Sequence, residues 1–264
     1  MKLLRILLAG VIVSSVLVTK ARAEEPKTAP REIIVAAAAD LKFALDDMVQ
    51  AFQKERPGTK IGVTYGSSGN LFAQIDNGAP FDLFLSADIV FPRKLVEEKK
   101  ASADSLFSYA VGQVVLWVPN DSPLDVEKLG LQALLAPSVR KIAIANPAHA
   151  PYGCAAVAAL KRLGVYDQVS DKLVFGENIA QAAQFVESKA ADAGLIALSL
   201  AVSPRMKAEG RYWQVPLDAY PRLEQGGVIL SGTKQPELAR QFREMIVGSQ
   251  GRETLRRYGF IMPE

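Results

Sequence analysis

The chain of 264 residues contains one cysteine and one histidine. Cys154 alone cannot form an internal disulfide. It lies near the start of an Ala-rich stretch, where a small buried side chain is expected. No Cys/His spacing suited to zinc occurs, and there is neither a Walker loop nor a dinucleotide fingerprint. No internal repeat or low-complexity segment appears, and no run approaches the ~20 apolar residues that span a bilayer. These absences argue against zinc, nucleotide and disulfide-stapled classes.

The first residues carry a different pattern. Met1-Lys2-Leu3-Leu4-Arg5 precedes a mostly apolar run from Ile6 to Val18, and Ala21-Arg22-Ala23 has a small-x-small cleavage pattern. Residues 1–23 are therefore expected to be a secretory signal peptide, placing the mature protein in the periplasm. No Cys lies near the cut, so no lipid anchor is expected. Of 31 Lys and Arg, four (Lys2, Arg5, Lys20, Arg22) belong to that segment, leaving 27 against 28 Asp and Glu, a net charge of −1 instead of +3. No basic stripe remains to hold nucleic acid. The rest of the chain is long enough for one large domain or two lobes of roughly 100–150 residues.

From residue 32 the chain alternates strands and helices. Glu32–Ala38 is a short apolar, β-branched run suited to a buried strand. Asp40 then precedes Leu41, Leu45, Met48, Val49 and Phe52 at helical spacing, and Pro57-Gly58 ends that helix. Strands at 60–65 and 82–86 alternate with helices at 70–78 and 89–100. A long apolar strand is expected over 109–118. Further strands are expected at 141–145, 172–175, 194–198, 211–215 and 227–230, with helices at 125–135, 151–163, 179–189 and 236–258. Two β-α runs separated by one long strand indicate a two-lobe α/β architecture, each lobe a mostly parallel sheet flanked by helices. The expected division is 30–112 plus 230–264 for one lobe and 113–229 for the other.

Four loops occupy equivalent places, each leaving a strand and opening a helix. The central one is Gly66-Ser67-Ser68-Gly69-Asn70. Its glycines let backbone N–H groups turn inward, and the helix start adds unpaired amides and a partial positive charge. Ala39-Asp40, Ala150-Pro151-Tyr152-Gly153 and Glu177-Asn178-Ile179 repeat the arrangement. In open α/β sheets ligands sit beyond the carboxyl ends of strands, where all four loops fall. The four loops are read as converging on one small oxyanion in the cleft between lobes.

With those loops in place, the chain resembles the substrate-binding proteins of molybdate ABC transporters. The likeness rests on residues 36–41 (AAAADL), 66–71 (GSSGNL), 78–88 (GAPFDLFLSAD), 146–153 (NPAHAPYG) and 257–260 (RYGF), of which the 78–88 run is the most specific. The resemblance implies a periplasmic binding protein-like fold. It also implies a tetrahedral dianion, molybdate or tungstate, held by neutral O–H and N–H donors, and a membrane permease that receives it. Matched position by position, it assigns a hydroxyl donor to Ser68 and backbone N–H donors to Tyr152 and Ile179. Asp40 falls where a Ser is common, and Ala197 where some members present a Tyr hydroxyl. The Tyr152 hydroxyl is the expected substitute for the one missing at Ala197. No catalytic residue, metal ligand or cofactor is assigned, and a monomer is expected.

Asp40 needs a physical account, since a carboxylate ~4 Å from an anionic charge costs about 4 kcal/mol at an effective dielectric of roughly 20. One resolution turns the carboxylate away to cap its own helix, leaving its N–H for the ligand. The other has the ligand carry a proton that the carboxylate accepts, which would favour a phosphate-like ion. A small organic acid in the same cleft would want an Arg clamp, and none of the four loops has one. A serine hydrolase elbow would read Gly-x-Ser-x-Gly, unlike 66–69. It would also have to pair a serine with His149, which belongs to the opposite lobe. His149 itself is expected to be exposed or locally bonded. Tyr65 is assigned to strand packing, Asp46-Asp47 to a solvated helix face, and Asp82 and Asp88 to caps and turns.

Overall fold

The computed structural model describes residues 31–264, so the expected signal segment 1–23 lies outside the described residues. The first lobe begins with β1 (Arg31–Ala38), a 3-10 turn (Ala39–Leu41), α1 (Lys42–Glu55), β2 (Thr59–Gly66) and α2 (Ser68–Asp76). It continues through β3 (Leu83–Ser86), α3 (Val90–Glu97) and β4 (Phe107–Gly112). The second lobe holds β5 (Val114–Pro119), α4 (Val126–Leu129), β6 (Ile142–Ala145), α5 (Pro151–Arg162), α6 (Tyr166–Val169) and β7 (Leu173–Gly176). After these come α7 (Ile179–Glu187), β8 (Ala193–Ala197), α8 (Leu198–Ala201), α9 (Pro204–Glu209) and β9 (Gly210–Gln214). The chain then returns to the first lobe as β10 (Leu223–Ile229), α10 (Pro236–Val247) and α11 (Ser249–Arg257).

Two five-stranded sheets result, in the orders β2-β1-β3-β10-β4 and β7-β6-β8-β5-β9. Each has a parallel half built by β-α-β units and an antiparallel half. In the first, β10 runs antiparallel to β3 and β4; in the second, β5 runs antiparallel to β8 and β9. The first core packs β1 residues Ile33, Val35 and Ala37 under α1 and α10, where Phe52 and Phe242 meet edge-to-face with centroids 5.1 Å apart. Such a pair adds ~1 kcal/mol to the area it buries. The second core surrounds β5, all six of whose residues are buried. Ala38, Ala39 and Ala87, at the carboxyl ends of first-lobe strands, pack into that second core, so the lobes are closed on each other.

Two expectations change here. The single strand expected over 109–118 is two strands in different sheets, with Gln113 as the crossing. Both halves are apolar and buried, so no hydropathy step marks the break. The boundary placed between residues 229 and 230 also moves. β10 belongs to the first sheet, so 223–229 is first-lobe structure and the return crossing is 215–222. The two crossings are tied together by Val114 N–H, which donates to the Tyr220 hydroxyl at 3.1 Å.

Candidate functional site

β1 pairs in parallel with β2, with Ala38 beside Gly66, and β6 with β7, with Ala145 beside Gly176. All four strands end at the interlobe junction, and each is followed there by a helical turn. The first amides of a helix have no partner within it. At α2 the N-cap Ser67 makes no capping bond, because its hydroxyl faces His149 Nδ1 at 2.9 Å. At α5 the N-cap is Ala150, which has no polar side chain to cap with. At α7 the Asn178 Oδ1 accepts the amides of Ala180 and Gln181 at 3.0 and 3.1 Å, which leaves the Ile179 amide as the uncapped donor of that turn. Uncapped helix starts at a buried junction suit an anion.

The Ser68 side chain is fully buried, and its Oγ accepts the Ala87 N–H at 2.9 Å. Accepting there uses a lone pair and leaves the hydroxyl hydrogen free to donate. The glycine beside it serves close approach. A Cβ on Gly69 would lie 2.7 Å from the His149 carbonyl oxygen, and the Gly69 amide donates to that oxygen at 2.9 Å. Neither Gly66 nor Gly69 adopts a positive φ, so the inward turn expected of this loop comes from the helix start rather than from left-handed glycine.

Asp40, also fully buried, joins the two lobes. Its Oδ2 accepts from the Tyr152 hydroxyl at 3.0 Å and from Gln225 Nε2 at 2.6 Å, while its carbonyl accepts from the Ser199 hydroxyl at 2.7 Å. Burial raises the Asp40 pKa from 3.8 to about 6, and the Gln225 and Tyr152 hydrogen bonds and the Asp40 and Leu41 amides pull it back only in part. No cationic side chain contributes. Burial and the neighbouring Asp40 charge push the Tyr152 phenol well above its ordinary value, so it remains a donor. Two acceptors of this cluster, Asp40 Oδ1 and Gln225 Oε1, have no hydrogen-bond partner. The cluster leaves no room at the first crossing: a Cβ on Gly112 would come 2.2 Å from the Tyr152 hydroxyl. Among the described residues no cluster of three or more His, Cys, Asp and Glu is placed to hold a metal ion.

Residues 33–261 match the family model described as bacterial extracellular solute-binding protein. The chain belongs to that family. It is 37% identical over 229 residues to the molybdate-binding protein ModA of Azotobacter vinelandii, covering 87% of this chain and 89% of the relative. The Rhodobacter capsulatus molybdate-binding protein ModA is 36% identical over 230 residues, covering 87% and 88%. The solved periplasmic molybdate-binding protein of A. vinelandii superposes with a TM-score of 0.82 at 32% identity, over 88% of this chain and 100% of that one. A sulfate-binding protein, SubI of Mycobacterium tuberculosis, shares the fold at 15% identity and a TM-score of 0.71.

In this solute-binding protein, Asp40, Ser68, Tyr152 and Ile179 are all buried at the interlobe junction, with α7 packed on the 39–41 turn. Several expectations about their surroundings need correction. The Asp40 carboxylate is not chiefly a cap for its own helix; its directed partners come from α5 and β10. The Tyr152 hydroxyl, expected to substitute for the one absent at Ala197, donates to Asp40 Oδ2 instead of standing free. Cys154 is exposed, with its Sγ 3.1 Å from the Pro147 carbonyl. His149 bridges the lobes, and a Ser–His pair does form across the cleft, through Ser67. Glu177, the one carboxylate near the ring, stands 3.9 Å from Nε2 and is 69% exposed, too far to orient it as a hydrolase base would be. Gln225 and Ser199 were missed. Gln225 is wholly buried in β10, but the strand's polar and glycine-rich start, Leu223-Glu224-Gln225-Gly226-Gly227, gives no local cue to that burial.

Proposed function

We propose that this protein captures a tetrahedral oxyanion, molybdate or tungstate, in the periplasm and delivers it to the membrane permease of an ABC importer. The observation that carries the reading is the donor set. The uncapped starts of α2 and α5, the Ile179 amide that the Asn178 cap leaves over at α7 and a hydroxyl oriented by Ala87 meet at a buried junction where, among the described residues, no cationic side chain acts on the Asp40 carboxyl. Such a set recognises a dehydrated anion by shape and hydrogen bonding rather than by neutralising it. In this reading the Ser68 hydroxyl and the amides of Asp40, Tyr152 and Ile179 donate to the ligand oxygens. Donors from both lobes mean that the ligand favours the closed form.

A competition titration of molybdate, tungstate, sulfate and phosphate tests the reading. Molybdate and tungstate are expected to bind tightest and to displace one another. Tight phosphate binding with no molybdate binding would end the molybdate reading.

A further inference from the structure

The buried carboxyl beside the anion-binding donors is the feature this function does not absorb. Its Oδ2 is saturated by Tyr152 and Gln225, both neutral donors that approach from the lobe interiors. Its Oδ1 is buried and has no directed partner; the nearby Asp40 and Leu41 amides make no aligned hydrogen bond to it. Gln225 Oε1 is the other unpartnered acceptor of the cluster, but it is neutral. An ionised Oδ1 puts a full negative charge, offset by no cationic side chain, beside the donors that would hold an anion. Resting on the oxyanion reading above, we infer that Asp40 holds the ligand as the neutral acid: Oδ1 takes a proton from solvent on capture and donates it as a hydrogen bond to a ligand oxygen. The balance is one carboxylate, one solvent proton and one dianion giving a carboxylic acid hydrogen-bonded to that dianion. The dianion itself needs no proton, in contrast to a hydrogen phosphate that would bring its own.

The surroundings fit. The titratable groups packed around Asp40 are the phenols of Tyr152 on α5 and Tyr109 on β4, with Tyr220 of the return crossing beside Tyr152. Burial raises all three pKa values, which keeps them neutral near pH 7. Gln225 and Ser199 carry no charge. Lys42 is half-exposed and paired with Asp46 at 3.2 Å, so it supplies no buried counter-charge. Desolvation already brings the carboxyl to about 6 before an anion arrives, and an arriving anion raises it further. The one histidine, His149, lies in the rim with its Nδ1 2.9 Å from the Ser67 hydroxyl.

The test is calorimetric titration of sodium molybdate between about pH 6.5 and pH 8.5 in buffers of differing ionisation enthalpy. Wild type is expected to take up close to one proton at the upper end, with affinity falling roughly tenfold per pH unit. Asp40→Asn presents an N–H at the same place without titrating. It is expected to bind with no proton uptake and a flat profile, while His149→Gln keeps the wild-type slope. Tight wild-type binding without proton uptake would overturn the inference and leave the function standing. So would a slope abolished by His149→Gln but kept by Asp40→Asn. Failure of wild type to bind molybdate or tungstate at every pH would overturn the function itself. The wild-type measurement decides even where a variant fails to fold.

Discussion

The closed lobes meet through two contacts of unlike depth. The inner contact joins the end of β1 to α5 and β10 through Asp40, Tyr152 and Gln225, all buried. The outer contact joins the α2 start to the loops before α5 and α7. There Ser67 meets His149 at 2.9 Å, Asn70 donates to Glu177 at 3.2 Å, and the Glu177 side chain is 69% exposed. Water can replace the exposed Asn70–Glu177 bond at little net cost, because exposed ion pairs and hydrogen bonds are worth little. The inner groups cannot be rehydrated unless the lobes part, so each unsatisfied atom there has its full effect. The comparison assigns selectivity to the inner contact and ease of opening to the outer one.

The largest expected effect removes the inner charge. The folded-state pKa of Asp40 lies above its unfolded value, so the folded protein retains a proton that the unfolded chain has released between 3.8 and about 6. Stability therefore falls as pH rises through that window, and the whole cost, up to about 3 kcal/mol, is present above it. Asp40→Asn should raise Tm at pH 8 but not at pH 4. Equal Tm shifts at both pH values would show that the carboxylate carries no burial cost. Next comes Ser68→Ala, which removes one hydrogen bond to an anion, about 1.5–3 kcal/mol, or roughly ten- to over a hundredfold in molybdate affinity. Unchanged affinity would take Ser68 out of the site.

Tyr152→Phe leaves Asp40 Oδ2 with a single donor. The expected loss is about 1–3 kcal/mol of stability by denaturant unfolding, with the Asp40 carboxyl pushed higher still. An unaltered midpoint would mean the hydroxyl is idle. Smallest is Glu177→Ala at the rim, with an affinity change of at most several-fold, about 0–1 kcal/mol. A loss as large as that of Ser68→Ala would erase the distinction between inner and outer contacts.

The sequence reveals what local chemistry dictates. Strand-then-helix order, the Gly66–Asn70 loop and Pro151 at a helix start are short-range signals, and they place the four converging turns and the mostly helical C-terminal region. It conceals what only long-range packing decides. The break at Gln113 lies inside continuous apolar sequence. The partners of Asp40 come from residues 112 and 185 positions away, in Tyr152 and Gln225. A reading confined to the turn around Asp40 sees a helix cap, since Asp at such a place usually caps. The structure directs the carboxyl elsewhere because a tyrosine and a glutamine, themselves in contact at 3.3 Å, are buried against it and donate to it. A separation of 82 positions likewise hid the Ser67–His149 contact, which spans the two lobes.

The central claim is that neutral donors from both lobes surround one oxyanion. A crystal structure of the molybdate complex, with anomalous data collected at the molybdenum edge, tests it most directly. The account predicts a single anomalous peak enclosed by the Ser68 hydroxyl, the 39–41 turn and the first amides of α5 and α7, within hydrogen-bond reach of each. A peak elsewhere on the molecule, or an occupied site whose donors come from one lobe alone, would contradict it.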